Sequence, residues 1–312
     1  MSQRIFITGA GGYIGRLLLR KLGRNRAVYG LDIREDMTHT PPIHAGDIRD
    51  PNLAKRMQEQ QITHVVHLAS ILESSGDPAR DYDIDVNGTQ NVIEACLAAG
   101  VQHLTIASSG AAYGYHPDNP TWITEDAPLR GNDIFPYAKH KRIVEHMLAR
   151  YRTTHPELQQ LILRPGTVLG HNTDNLITNL FTKKRVLAIR GSETRFVFIW
   201  DEDVVNIMQR GVEENRTGIY NLAGTGAIPI RTLATLLNKP VLDLPPTLLR
   251  IALTIGRATR TTRYGPEQLK FLQYRPVLDN RALIEDFGYT PQKTSKETFL
   301  YWLKHAQERG VM

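Results

Sequence analysis

The chain has 312 residues, 41% hydrophobic and 22% charged, enough for one large domain or two modest ones with a full core. Its formal net charge of +6 favours anionic ligands, but the basic residues are scattered with no aromatic-interleaved stripe, which argues against a nucleic-acid partner. No stretch approaches roughly 18 uninterrupted apolar residues, Gly9 comes too early for a secretory leader, and the single Cys96 cannot pair internally, so a cytoplasmic protein is expected.

Strand-like and helix-like segments alternate through the first half. "RIFITG" and "AVYGLDI" have the apolar runs of short buried strands, and "IGRLLLRKLG" between them has helical spacing that stops at Gly23. "ITHVVHLAS" is a third strand, carrying His64 and His67, and "DVNGTQNVIEACLAAG" is a helix in which Cys96 reads as a small buried hydrophobe. "HLTIASS", the long helix "PYAKHKRIVEHMLARYRTTH" and "QLILRPG" continue the pattern. Such alternation predicts a doubly wound parallel sheet covered by helices on both faces. After about residue 166 the pattern loosens into a smaller C-terminal lobe. There "RVLAIRG" and "RFVFIW" read as a hairpin-sized strand pair, "DEDVVNIMQRGVEE" as a helix and "GIYNLAG" as a strand. Short helices broken by proline and glycine follow Pro240, some elements returning to the first domain. The eleven histidines show no metal-ligand clustering, so no metal is expected.

Gly9, Gly12 and Gly15, with Gly11 between, sit where a strand turns into a helix. A turn of this kind lets backbone approach a pyrophosphate, and the N–H groups of Tyr13 and Ile14 then open the helix toward that anion. Asp32 ends the next strand, 20 residues after Gly12, where a carboxylate accepts hydrogen bonds from both ribose hydroxyls of a dinucleotide. It would repel a 2′-phosphate, favouring NAD, whereas Arg34 would accommodate one. Asp47 and Ile48 in "GDIRD" fall where a loop meets an adenine ring, although Asp47 equally suits the start of a helix near Pro51.

Tyr137 and Lys141 lie four residues apart on one helix and therefore share a face. An unperturbed phenol, with a pKa of about 10, is a poor base at neutral pH, but nearby positive charge stabilises the phenolate. The pair follows a strand that ends in "IASSGAAYG".

These motifs, with "TGAGGYIG", "LDI", "GDI", "HLAS", "DVNGTQNV" and "LRPGTVLG", come in the order found in extended short-chain dehydrogenases/reductases of the NAD-dependent epimerase/dehydratase family, which the chain resembles from about residue 4 to 170. The resemblance implies a Rossmann-type sheet over residues 1–166, binding NAD, and a substrate lobe over 167–312. It further implies Tyr137 as catalytic base, Lys141 as the group that lowers its pKa and holds the nicotinamide ribose, and Ser109 as the hydrogen-bond donor to the reacting oxygen, with Ser108 as fallback. Leu68, Ala69 and Ser70 match a loop along the cofactor, Pro165 a segment beside the nicotinamide, and Asn87 a supporting helix asparagine.

Within such a family, the residues after Ser109 bear on the reaction. Gly110, Ala111 and Ala112 cannot move protons, which disfavours dehydration. Pro165, Gly166 and Thr167 stand where sugar-nucleotide enzymes commonly carry an asparagine. Arg195 resembles a second-lobe arginine that pairs with a substrate phosphate, but also suits a surface strand. Trp200 replaces a common histidine, and Asp203 reads as a hydrogen-bonding residue. The expected function is a sugar or sugar-nucleotide epimerase, contacting substrate through Ser109, Gly110, Ala111, Arg195 and Trp200. The alternatives are a dehydrogenase/reductase of an apolar, sterol-like alcohol and a non-catalytic NAD sensor. A homodimer is expected. "PPTLLRIALTIGRATR", from Pro245 to Arg260, is apolar, helical in spacing and flanked by arginines. It fits internal packing or a dimer contact, or else a lid or membrane-surface contact.

Overall fold

The computed structural model describes residues 3–261 and 265–312. In chain order its elements are β1 (Arg4–Thr8), α1 (Tyr13–Leu22), β2 (Ala27–Asp32), β3 (Ile43–Ala45), α2 (Leu53–Glu59), β4 (His64–His67), α3 (Pro78–Tyr82), α4 (Gly88–Ala98) and β5 (His103–Ala107). Then come α5 (Pro136–Thr154), β6 (Gln159–Pro165), β7 (Thr167–Leu169), α6 (Thr178–Phe181), β8 (Val186–Ile189), β9 (Arg195–Phe196), β10 (Phe198–Trp200) and α7 (Asp201–Glu213). The chain finishes with β11 (Gly218–Leu222), β12 (Ile228–Pro229), α8 (Ile230–Leu236), β13 (Val241–Leu244), α9 (Pro246–Ala258), α10 (Gln268–Gln273), α11 (Arg281–Glu285) and α12 (Ser295–Glu308).

Seven strands form one all-parallel sheet in the order β11-β6-β5-β4-β1-β2-β3. Both faces are buried, so the strands are apolar at consecutive positions. Phe6, Val65, Leu104 and Ile162 face Val92, Ile93 and Cys96 of α4 and Val144, Met147 and Leu148 of α5. Ile5, Ile7, Val66, Leu161 and Leu163 face the other way, against Leu18, Leu19 and Leu22 of α1 and Val204, Val205 and Met208 of α7. Winding reverses between β1 and β4, and in open α/β sheets the crevice beyond the strand ends at such a point binds ligands. Late elements join this sheet: β11 pairs with β6, and α7 covers the face shared with α1.

The second lobe is organised differently from the sequence expectation. β8 and the 195–200 segment form no hairpin. β8 instead pairs in parallel with β13, β9 antiparallel with β12, and β10 in parallel with β7. The connection between them is held elsewhere: Ser192 Oγ donates to Gln273 O (3.1 Å) and Thr194 Oγ1 to Leu272 O (2.7 Å), drawing the two strands apart. The C-terminal helices are not all short. α12 has 14 residues and opens on a capping box in which Thr294 and Glu297 satisfy each other's backbone amides. It packs Phe299 and Trp302 against Phe181, Phe196 and Phe198, an aromatic core of its own.

Candidate active site

The chain leaves β1 through Gly9, at φ +68°, in the left-handed region that glycine enters without penalty. Spacing alone assigns the whole glycine run to a ligand phosphate; the structure divides it. A Cβ on Gly9 would lie 2.6 Å from Ala69 N, one on Gly15 2.2 Å from Gly9 O, and one on Gly11 2.9 Å from the Asp32 Cγ. Those three are glycine because protein packs against them. Gly12 is the exposed one, and α1 begins just after it with no side-chain cap and no acidic residue in its first turn. An open glycine before an uncapped helix start is a cradle for an anion.

Around this turn, Asp32 Oδ2 accepts from Gly11 N (3.0 Å) and Oδ1 from Arg34 N (3.3 Å), while the Arg34 side chain is exposed. Ile14 is partly buried against the core, and Tyr13 donates its hydroxyl to Asp201 Oδ2 (2.5 Å). Asp47 does not cap α2, whose N-cap is Asn52; it pairs with Arg49 (2.6 Å), which holds its carboxyl below the usual range. Ile48 is buried beneath Gly88. Asn87 is exposed and donates to Asp83 (2.9 Å).

The catalytic candidates converge at the end of β5. Lys141 Nζ donates to Ala107 O (2.9 Å) and lies 5.5 Å from the centre of the Tyr137 ring. Ser109 hydrogen-bonds Tyr137, whereas Ser108 donates to Glu145 Oε1 (2.5 Å), so the structure separates the two serines. The resemblance implies a phenol made acidic by Lys141, but burial dominates here. It pushes Tyr137 up to about 12 against the Ser109 hydrogen bond, and it pulls Lys141 down against the nearby Asp85 and Glu145 carboxylates.

Asp85 escapes sequence reading. It lies buried in a π-helical turn, Asp83–Asn87, of the kind that re-aims side chains within helices. It accepts from Ser70 Oγ (3.0 Å), Ile71 N (2.8 Å) and His140 Nδ1 (2.8 Å). The loop after β4 is thereby bound to the helix that carries Tyr137 and Lys141. His67 is buried between the Thr8 and Thr89 hydroxyls and pushed down to about 3 by burial. Cys96 is buried too, its thiol raised by desolvation.

Aromatic groups flank the phenol. Tyr115, Phe135 and Phe271 stack edge to face with Ala111, Tyr137 and Tyr274 beside them, and Leu278 closes over Gly110. Next in the chain, Arg275 is sandwiched 4.6 Å from the Phe196 ring and 4.8 Å from the Phe271 ring. Its only hydrogen bond among the described residues is a long one to Thr167 Oγ1 (3.4 Å), and its Nη1 is buried with no partner. Arg195, by contrast, is half-exposed and paired with Glu193 (3.5 Å), with no hydrogen bond or ion pair to Ser109, Tyr137 or Lys141. Trp200 lies under Lys293 Nζ (3.9 Å), and its own Nε1 is buried without a partner among the described residues. Asp203 accepts from Tyr289 Oη (2.7 Å) and Gln292 N (3.0 Å), anchoring α7. Pro165 and Leu222 are register partners at the ends of β6 and β11.

A model of the NAD dependent epimerase/dehydratase family matches residues 5–223. An uncharacterised protein of Mycobacterium tuberculosis is 23% identical over 308 residues, covering 95% of this chain and 82% of that protein. UDP-glucose 4-epimerase of Yersinia pestis is 28% identical over 219 residues, 62% of this chain and 64% of its own length. Among solved structures, the Bordetella bronchiseptica enzyme WbmG in complex with NAD and UDP shares the fold, with a TM-score of 0.76 at 21% identity over 100% of this chain and 96% of that one.

Proposed function

The chain belongs to the NAD dependent epimerase/dehydratase family, and from that premise we propose that it is an NAD-dependent epimerase of a nucleotide sugar. The observation that carries this reading is the meeting of Ser109, Tyr137 and Lys141 at the end of β5, two strands from the open Gly12 cradle. The likeness to UDP-glucose 4-epimerases and to an enzyme holding NAD and UDP supports it.

In this reading Gly12 and the amides opening α1, at Tyr13 and Ile14, hold the pyrophosphate, and Asp32 takes the adenosine ribose. Asp47 and Ile48 border the adenine, Leu68 to Ser70 and Pro165 line the crevice, and Lys141 holds the second ribose. NAD supplies the hydride acceptor and donor. Ser109 keeps the reacting hydroxyl oriented, and Tyr137 takes its proton and later gives it back. With its pKa up at about 12, the phenol rests protonated at neutral pH, so the transfer to it needs positive charge drawn close. Arg275 supplies a partly buried guanidinium, without a carboxylate partner among the described residues, for the substrate's diphosphate, a task the family resemblance suggests for Arg195. Residues 1–166, with α7 and β11, serve the cofactor and the remainder the substrate.

Purified protein with NAD and UDP-glucose or UDP-galactose, followed by NMR and by absorbance near 340 nm, tests this. Interconversion without net NADH is the expected result. Stoichiometric NADH from the nucleotide sugar would instead make the protein a dehydrogenase, and NADH formed only when an apolar alcohol is supplied would favour the second reading, which the Tyr115, Phe135 and Phe271 lining also fits. Tyr137→Phe is expected to cut turnover by about 10²–10⁴ while NAD affinity stays nearly unchanged; preserved turnover rejects the assigned base.

A further inference from the structure

Helix α9 is apolar on two faces, and the fold covers one of them. Leu249 is buried, and with Leu253 it packs against Ile189, Leu187, Leu244 and Leu272. Leu248, Ile251 and Ile255, spaced i, i+3, i+7 and so forming one stripe, are 51%, 55% and 58% exposed. Between Leu244 and Thr261 the chain has no acidic residue. Arg250, Arg257 and Arg260 are all exposed; Arg257 pairs with Glu267 (3.0 Å), and Arg250 and Arg260 have no ion-pair partner among the described residues. Arg190, also exposed, joins them at the helix start, where its backbone N–H donates to Leu244 O (2.9 Å).

We propose that α9 is an interfacial helix that seats the protein on an anionic lipid surface. Its outward stripe enters the boundary between headgroups and acyl chains, while the arginines, further round the helix and at its ends, supply the positive field that draws the segment to anionic headgroups. A second copy of this chain is the poorer occupant. A second copy would bring the same positive charge to this segment, with no acidic residue between Leu244 and Thr261 to pair with its arginines. The other, covered face of α9 packs through Leu249 and Leu253 on Leu269 and Leu272 of α10, the helix that carries Phe271.

Sedimentation of the full chain with vesicles tests this independently of any enzymatic activity. Binding is expected to phosphatidylcholine mixed with phosphatidylglycerol, and to weaken in high salt and on phosphatidylcholine alone. Leu248→Gln, Ile251→Gln and Ile255→Gln together should cost at least about tenfold in partitioning, and Arg250→Gln with Arg260→Gln about fivefold per charge. The melting temperature of each variant, expected to be unchanged because these side chains are exposed, separates lost docking from lost fold. Wild-type protein that stays in the supernatant overturns the proposal, as does equal binding to both vesicle types. A lipid-indifferent dimer that dissociates in the triple variant also overturns it and assigns the stripe to a second copy.

Discussion

Two arginines sit inside this molecule under opposite terms. Arg164, at the end of β6, gives Glu145 three contacts of 2.5–3.0 Å, donates to Tyr113 Oη (2.7 Å) and Glu125 O (2.9 Å), and lies over the Tyr113 ring. Its charge is held above the ordinary guanidinium range by that carboxylate in spite of burial. Among the described residues Arg275 has two aromatic rings, one distant hydroxyl and no carboxylate, and burial lowers its pKa. A closed network around a buried charge marks architecture. A buried charge left open marks a place where something negative is meant to arrive. The neighbouring serines repeat the contrast: Ser108 is absorbed into the Glu145 network, and Ser109 is turned toward Tyr137.

Breaking the closed side should do the most damage. Glu145→Gln leaves Arg164 buried without its counter-charge and is expected to cost about 3–5 kcal/mol of stability, read from urea unfolding. Arg275→Leu should leave the melting temperature unchanged or higher, because it removes an uncompensated charge. It should weaken nucleotide-sugar binding by about 1.5–3 kcal/mol, or roughly 10–100-fold, and a titration that finds unaltered affinity removes Arg275 from the substrate site. The serines offer a smaller and cleaner version. Ser108→Ala should lose about 1.5 kcal/mol of stability with turnover kept, and Ser109→Ala the converse; matching phenotypes would erase the distinction.

The last test is by pH. Buried His67 is held neutral with a pKa of about 3, against 6.5 when free, so the unfolded chain binds the proton that the folded chain refuses. Stability should therefore be fully present above pH 6.5 and fall by about 1.4 kcal/mol per pH unit below it, until about pH 3. His67→Gln should flatten that slope in urea midpoints, with the remainder belonging to His64 and His103, which burial also lowers.

How much of this was legible beforehand depended on distance along the chain. β1, α1, β2, β4, β5 and β6 announce themselves because apolar runs and the stops at Gly23 and Gly100 are local signals, whereas the three-residue β3 is too short to show a pattern. Tyr137 and Lys141 are legible for the same reason, being four residues apart. The partners of β8, β9 and β10 are not, since three short apolar segments look alike and only tertiary contacts decide which strand each meets. Arg275 lies 108 residues from Thr167 and 79 from Phe196, so nothing near it in sequence marks it as the interior guanidinium. Asp85 is similarly silent: its bonds run to residues 14, 15 and 55 positions away.

The return of β11 to the sheet has a consequence for synthesis. While the ribosome is still making residues 167–217, β6 is an unprotected edge, and Leu161 and Leu163 lack the α7 side chains that shield them. The nascent N-terminal half is therefore sticky until the tunnel releases Leu222, and a translation pause inside that window would invite aggregation that a pause after it would not.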